Sequence, residues 1–156
     1  RKMTQNLLVR GAPTGPGLAA WTADAGVLEG TPVLTAGGEL AVEHLAPGDA
    51  VVTRAGLRRL VAVEVAEVAL RPVVRIAPRS FGGGRPEAEV TVAPGQRVLI
   101  RDWRARAIWG KAQLAVPALR LADGEMVRRG MARGRLLRLR FAEEAVIYAG
   151  GVELAF

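Results

Sequence analysis

"TPVLTAGGELAVEHLAPGDAVVTRAG", residues Thr31–Gly56, reads as three short strands cut by three turns. Pro32–Thr35 is apolar and extended, Gly37-Gly38 reverses the chain, and Leu40–Val42 returns as the second arm of a hairpin. Pro47-Gly48-Asp49 is a second turn, with Asp49 placed to bond the turn amides. Val51–Thr53 is a strand, and Ala55-Gly56 turns the chain again.

The same punctuation runs outward from this stretch. Val61, Val63 and Val65 alternate with Ala62, Glu64 and Ala66, so Leu60–Leu70 reads as one long β-branched strand; its Ala and Glu also keep a helix reading open. Arg71–Pro78 reads as another strand, and Arg79–Glu89, with Gly82-Gly83-Gly84, as a flexible loop. That loop lacks the lysine and the strand–loop–helix setting of a phosphate cradle. Strands follow at Val90–Val92 and Arg97–Arg101 about a Pro94-Gly95 break, and "GKAQLAVPALRLADG" (Gly110–Gly124) mixes a strand with a short helix or turn. Arg135–Phe141 alternates Leu137, Leu139 and Phe141 against Arg138 and Arg140, and Ala145–Phe156 closes as two strands about Gly150-Gly151. The chain is therefore an all-β domain of short strands and hairpins. "LAPGDAV" (Leu45–Val51) is echoed by "LADGEMV" (Leu121–Val127), the mark of a pseudo-two-fold duplication.

Composition excludes several classes of chemistry. Among 156 residues there is no cysteine and one histidine, His44, so disulfides, thiol nucleophiles and multi-histidine metal sites are excluded and no cofactor is expected. No apolar run approaches the roughly 18–20 residues of a bilayer span, no leader-type apolar run opens the sequence, and a cytoplasmic setting is expected. The net charge is +7. Arg101, Arg104, Arg106, Arg128, Arg129 and Arg133 lie in a basic stretch opposed only by Asp102, Asp123 and Glu125. Such a face suits an acidic protein surface, with nucleic acid or a peripheral membrane contact as rivals; a merely solvated face gives the same count. Aromatics do not interleave with these arginines beyond Trp103 and Trp109, which weakens the nucleic-acid reading.

Residues 1–25 carry Gly11, Pro13, Gly15, Pro16 and Gly17 and read as an extended arm outside a β domain of residues 26–156. Leu7, Leu8 and Trp21 would anchor the arm on a partner, with Arg1, Lys2 and Arg10 meeting acidic groups.

The order of motifs resembles the Hint family, shared by hedgehog autoprocessing domains and inteins, and is most similar to its bacterial stand-alone members. Gly26–Gly56 resembles the family's opening, "APGQRVLI" (Ala93–Ile100) its Ser-Pro-x-His-Arg segment, and "YAGGVELAF" (Tyr148–Phe156) its end. The resemblance implies a compact Hint fold over about Gly26–Phe156. It also implies an intramolecular acyl shift in which a side chain attacks the preceding carbonyl and a histidine protonates the departing nitrogen. The positions that would do this hold other residues here. The cysteine, five residues before Thr31, falls on Gly26; the histidine falls on Gln96; the Ser or Thr three residues before it falls on Ala93. The terminal asparagine has no counterpart. The expectation is a catalytically inactive Hint-like domain used as a binding module, an accessory subunit of a larger assembly. The alternatives are a self-processing domain with its nucleophile elsewhere, and a basic nucleic-acid-binding β domain. Thr22 and Thr31 have no base available, Ser80 has no histidine partner, and Glu143-Glu144, as neighbours on a strand, face opposite ways, so all are weak substitutes as catalysts.

Overall fold

The computed structural model describes residues 7–11, by their backbone, and residues 25–156. Short hairpins dominate, as the turn residues demand. β2 (Val27–Leu28) leads into a hairpin of β3 (Pro32–Thr35) and β4 (Gly38–Ala41), and β5 (Ala50–Thr53) and β6 (Gly56–Arg59) form the next. β8 (Val90–Val92), β9 (Arg97–Ile100) and β10 (Leu114–Pro117) follow, and β12 (Val146–Ala149) and β13 (Val152–Ala155) close the chain. β1 (Leu7–Gly11) pairs antiparallel with Ala62–Ala66, so this piece of the expected arm belongs to the domain's own sheet.

Two strands correct the picture of uniformly short elements. β7 runs unbroken for 15 residues over Ala62–Ile76, joining the two strands expected on either side of Arg71. Pro72 lies where β7 has only one strand partner among the described residues, a place where a missing N–H is tolerated. β11 (Val127–Arg140, 14 residues) pairs with β7 along almost its whole length. A bulge between Gly134 and Leu136 shifts the register, and the two successive leucines after it are buried on different faces. Leu137 and Leu139 enter the main core, while Leu136 packs with Ala66 and Ala93.

β1, β7, β11, β2 and β8 form one sheet, in that order, with β8 also pairing β7; the inner four strands thus close on themselves. The second sheet runs β10-β9-β13-β12-β3-β5-β6 with β4 on β3. The core between them is aliphatic, built from residues such as Val33, Leu45, Val63, Ile76, Ile100, Leu139, Ile147 and Leu154.

The sequence echo has a structural counterpart. Each copy follows a strand with a 3₁₀ turn (Val42–His44, Ala118–Leu121), then a turn closed by an aspartate, then a strand. Asp49 accepts from the Ala46 N–H at 2.9 Å, as expected of a turn residue. Burial raises the Asp123 pKa, but N–H groups of Val127 and Glu125 outweigh it and hold the carboxyl below the usual range.

Glu64 is fully buried on β7, opposite Arg138, and accepts from Arg140 Nη1 at 3.2 Å. A second ion pair ties the β2–β3 connection to β11. Glu29 Oε1 accepts from Arg135 Nε and Nη2 at 3.0 and 2.8 Å, and Oε2 from the Arg135 N–H at 2.8 Å. The guanidinium hydrogen bonds, and then the backbone one, hold the Glu29 carboxyl below its ordinary value. Its contribution to stability is complete above the unfolded value, about pH 4.3, and is lost as pH falls through the lower folded value. Glu29→Gln should therefore flatten the fall in stability below about pH 4.5. Urea unfolding from pH 3 to 7 reads this; parallel wild-type and variant curves would exclude the pair as a source of acid sensitivity.

Candidate functional site

Pro94 and Gly95 occupy the middle of a tight turn closed by the Gln96 N–H donating to Ala93 O at 3.0 Å. Two further bonds pin the turn to the segment after β10: the Ala118 N–H to Gln96 O and the Leu119 N–H to Pro94 O, both at 2.9 Å. The corner drives the Gln96 side chain inward, where it is buried.

There Gln96 meets Gly26. Gln96 Oε1 accepts from the Gly26 N–H at 2.9 Å, while Nε2 donates to Ala155 O at 2.9 Å and to Arg97 O at 3.1 Å. One acceptor facing an N–H and one donor facing two carbonyls fix which way the amide points. Gly26 O in turn accepts from the Ala93 N–H at 3.0 Å, and Ala93 is itself buried. The three positions aligned on the family's reactive residues are thus brought together across 70 residues of sequence.

The backbone at Gly26 matches its residue type. Its φ of +125° is a region that L side chains rarely adopt, and a Cβ there would sit 3.0 Å from Leu137 O. No side-chain nucleophile stands at this position. The nitrogen that an acyl shift must release donates its proton to a carboxamide oxygen, which has no proton to return.

The other candidate residues are used structurally. Thr31 Oγ1 donates to Leu28 O at 2.8 Å, the strand-start role expected of it. Ser80 Oγ donates to Ala77 O at 2.6 Å. His44 is exposed at the end of its 3₁₀ turn, and Glu144 pairs with Arg97. Among the described residues no group of three or more carboxylates and histidines is placed to hold a metal ion, and no helix is long and apolar enough to cross a membrane.

The basic stretch divides. Arg101 donates to Glu153 Oε2. Arg104 turns inward: it pairs with Asp102, donates to Ser80 O at 3.0 Å and lies over the rings of Phe81 and Trp103. Arg104 is thus engaged within the fold. The cause is a helix the sequence reading missed, α1 (Trp103–Trp109), capped by Asp102 at its start and by left-handed Gly110 at its end. Arg106, Arg128, Arg129 and Arg133 stay exposed. Arg1, Lys2, Trp21 and Thr22 lie outside the described residues, as do the side chains of Leu7, Leu8 and Arg10.

Also unforeseen is a cleft of about 840 Å³ near β2, β3 and β8, lined by residues such as Leu28, Leu34, Glu39, Glu87, Val90 and Tyr148. Its residues are dispersed over Leu28–Gly151, so only the assembled fold reveals it.

Known proteins share this fold. A Hint domain family model matches residues 25–154. The chain is similar to the TvoVMA intein, at 14% identity with a TM-score of 0.60, covering 86% of this chain and 98% of that one. It is similar to the MchDnaB-1 intein, at 18% identity and a TM-score of 0.55, covering 82% and 98%. It is also similar to a bacterial intein-like domain from Clostridium thermocellum, at 14% identity and a TM-score of 0.51, covering 85% and 96%. No curated protein matches the chain.

Gln96→Leu keeps the apolar bulk but strands the Gly26 N–H and the Ala155 carbonyl in a buried setting. At about 1–3 kcal/mol per orphaned group, the expected loss is on the order of 3 kcal/mol in urea unfolding. Gly26→Ala should cost about 1–3 kcal/mol through backbone strain. A Gln96→Leu loss below about 0.5 kcal/mol, the level of an ordinary surface change, would remove Gln96 from the centre of this description.

Proposed function

The chain belongs to the Hint domain family, and from the pairing of Gly26 with Gln96 we propose that it is a catalytically silent member serving as a protein-binding module, an accessory subunit of a larger assembly. Self-processing needs an attacking side chain on the residue that carries the scissile nitrogen and a proton donor beside that nitrogen. Here the first position is a glycine in a conformation that favours glycine, and the second is an amide that accepts a hydrogen bond from that nitrogen. This contact is the observation that carries the reading.

The binding surface is the outer part of the β7–β11 ribbon. Register places Leu70 opposite Arg133 and Pro72 opposite Met131. Val68, Leu70 and Met131 are 55%, 57% and 51% exposed, and Arg129 and Arg133 stand exposed beside them. Apolar side chains mixed with arginines favour a protein partner with acidic groups over a phosphate backbone, which rewards charge alone.

Two measurements test the reading. A reporter fused upstream of Ala25 should stay attached through long incubation with hydroxylamine or a strong thiol, in the wild type and in Gln96→His alike. Cleavage of the bond between residues 25 and 26 would return the chain to the self-processing members. In the second, the native complex is purified from the source cells with wild-type or Arg129→Glu/Arg133→Glu protein. The variant should fold and lose its partner. Retention of the partner, or strongly salt-dependent binding of random DNA by the wild type alone, would move the chain to another class.

A further inference from the structure

The cleft near β2, β3 and β8 has a chemistry opposite to that of the protein around it. The net charge is +7, yet four glutamates and one arginine, Arg85, line this cavity. Two of the glutamates are already engaged, Glu29 by Arg135 and Glu89 by Arg75 and Arg128. Glu39 and Glu87 are exposed and have no partner among the described residues. Between them lies apolar surface from Leu34, Val90 and the ring of Tyr148, the chain's only tyrosine.

Two hydroxyls in the cleft wall supply polar contacts beside the glutamates. Thr91 lines the cleft and is only 8% exposed, and its hydroxyl has no hydrogen-bond partner among the described residues. The Tyr148 hydroxyl is likewise without one. Neither oxygen is closed off from solvent, so each is available to a ligand's polar atom. Glu39 also lies on β4, whose outer edge has no strand partner among the described residues.

We propose that this cleft binds an extended peptide carrying arginine or lysine beside apolar side chains. The apolar wall takes the peptide's aliphatic groups, Glu39 and Glu87 take its cations, and the Thr91 and Tyr148 hydroxyls bond its backbone. The open edge of β4 favours an extended ligand over a helix. The site excludes Gly26 and Gln96, and its ligand has the opposite charge to the partner of the arginine ribbon. Binding here therefore stands or falls separately from catalytic silence and from the ribbon contact.

The test uses a dansyl-labelled Leu-Arg-Val-Lys-Leu peptide, its Leu-Glu-Val-Glu-Leu counterpart and fluorescence anisotropy. The basic peptide should bind at least tenfold more tightly than the acidic one. Glu39→Lys/Glu87→Lys should remove that preference, and Tyr148→Phe should weaken binding a few-fold. Both glutamates are exposed, so the double variant is expected to fold; should it not, Glu39→Gln reads the same effect at smaller amplitude. Arg129→Glu/Arg133→Glu should leave the affinity unchanged. Equal binding of the two peptides would overturn the proposal. So would full displacement by spermidine at the peptide's own concentration, which would make this a site for small cations.

Discussion

A buried amide has two donors and two acceptor lone pairs to satisfy, and Gln96 finds its partners in three backbone groups far apart in sequence. Gly26 leads into β2 of the first sheet; Arg97 and Ala155 lie on β9 and β13 of the second. One side chain thus ties the two sheets together at a buried point. In a low-dielectric interior each of these bonds is stronger than in water, and each orphaned partner is more costly. The position that resembles a catalytic histidine has become a structural crosslink.

Charge is distributed with similar economy. The arginines that dominate the sequence are not one continuous face. Glu153 engages Arg54 and Arg101, Glu29 engages Arg135, and buried Glu64 faces Arg138 and Arg140 across the β7–β11 pair. Arg138 shows the price of this arrangement: burial pulls its pKa below the ordinary arginine value, Glu64 opposes that, and Arg140 adds to it. Arg129 and Arg133 stay exposed on the ribbon with no carboxylate paired to them among the described residues.

The hairpins and turns were legible because glycine, proline and aspartate carry local instructions. Gly37-Gly38, Pro94-Gly95 and Gly150-Gly151 turn the chain where they were expected to, and the echo of Leu45–Val51 in Leu121–Val127 marks equivalent corners. The meeting of Gly26 and Gln96 was legible only through the family resemblance, since nothing local to either residue points at the other. What escaped was non-local or small. Leu60–Leu70 and Arg71–Pro78 read as two strands, yet β7 runs through both, paired with β11 on one side at Pro72. Alternation puts Leu136 on the face away from the main core, yet it is buried there because Ala66, Ala93 and Leu28 cover it. Helix α1 is two turns long, and its arginines drew attention to charge rather than to the caps, Asp102 and Gly110. The cleft had no sequence signature at all, being assembled from residues 28 to 151.

The amide of Gln96 also joins the beginning of the Hint unit to its end, touching the Gly26 nitrogen and the Ala155 oxygen at 2.9 Å each. A polypeptide therefore enters and leaves the β unit at a single place. Such a unit fits into a surface loop of a host protein as a hairpin does, leaving the host's own strands undisturbed. The same proximity makes it a natural subject for circular permutation: a short linker closes the old ends, and new ones are opened in an exposed turn such as Ala36–Gly37.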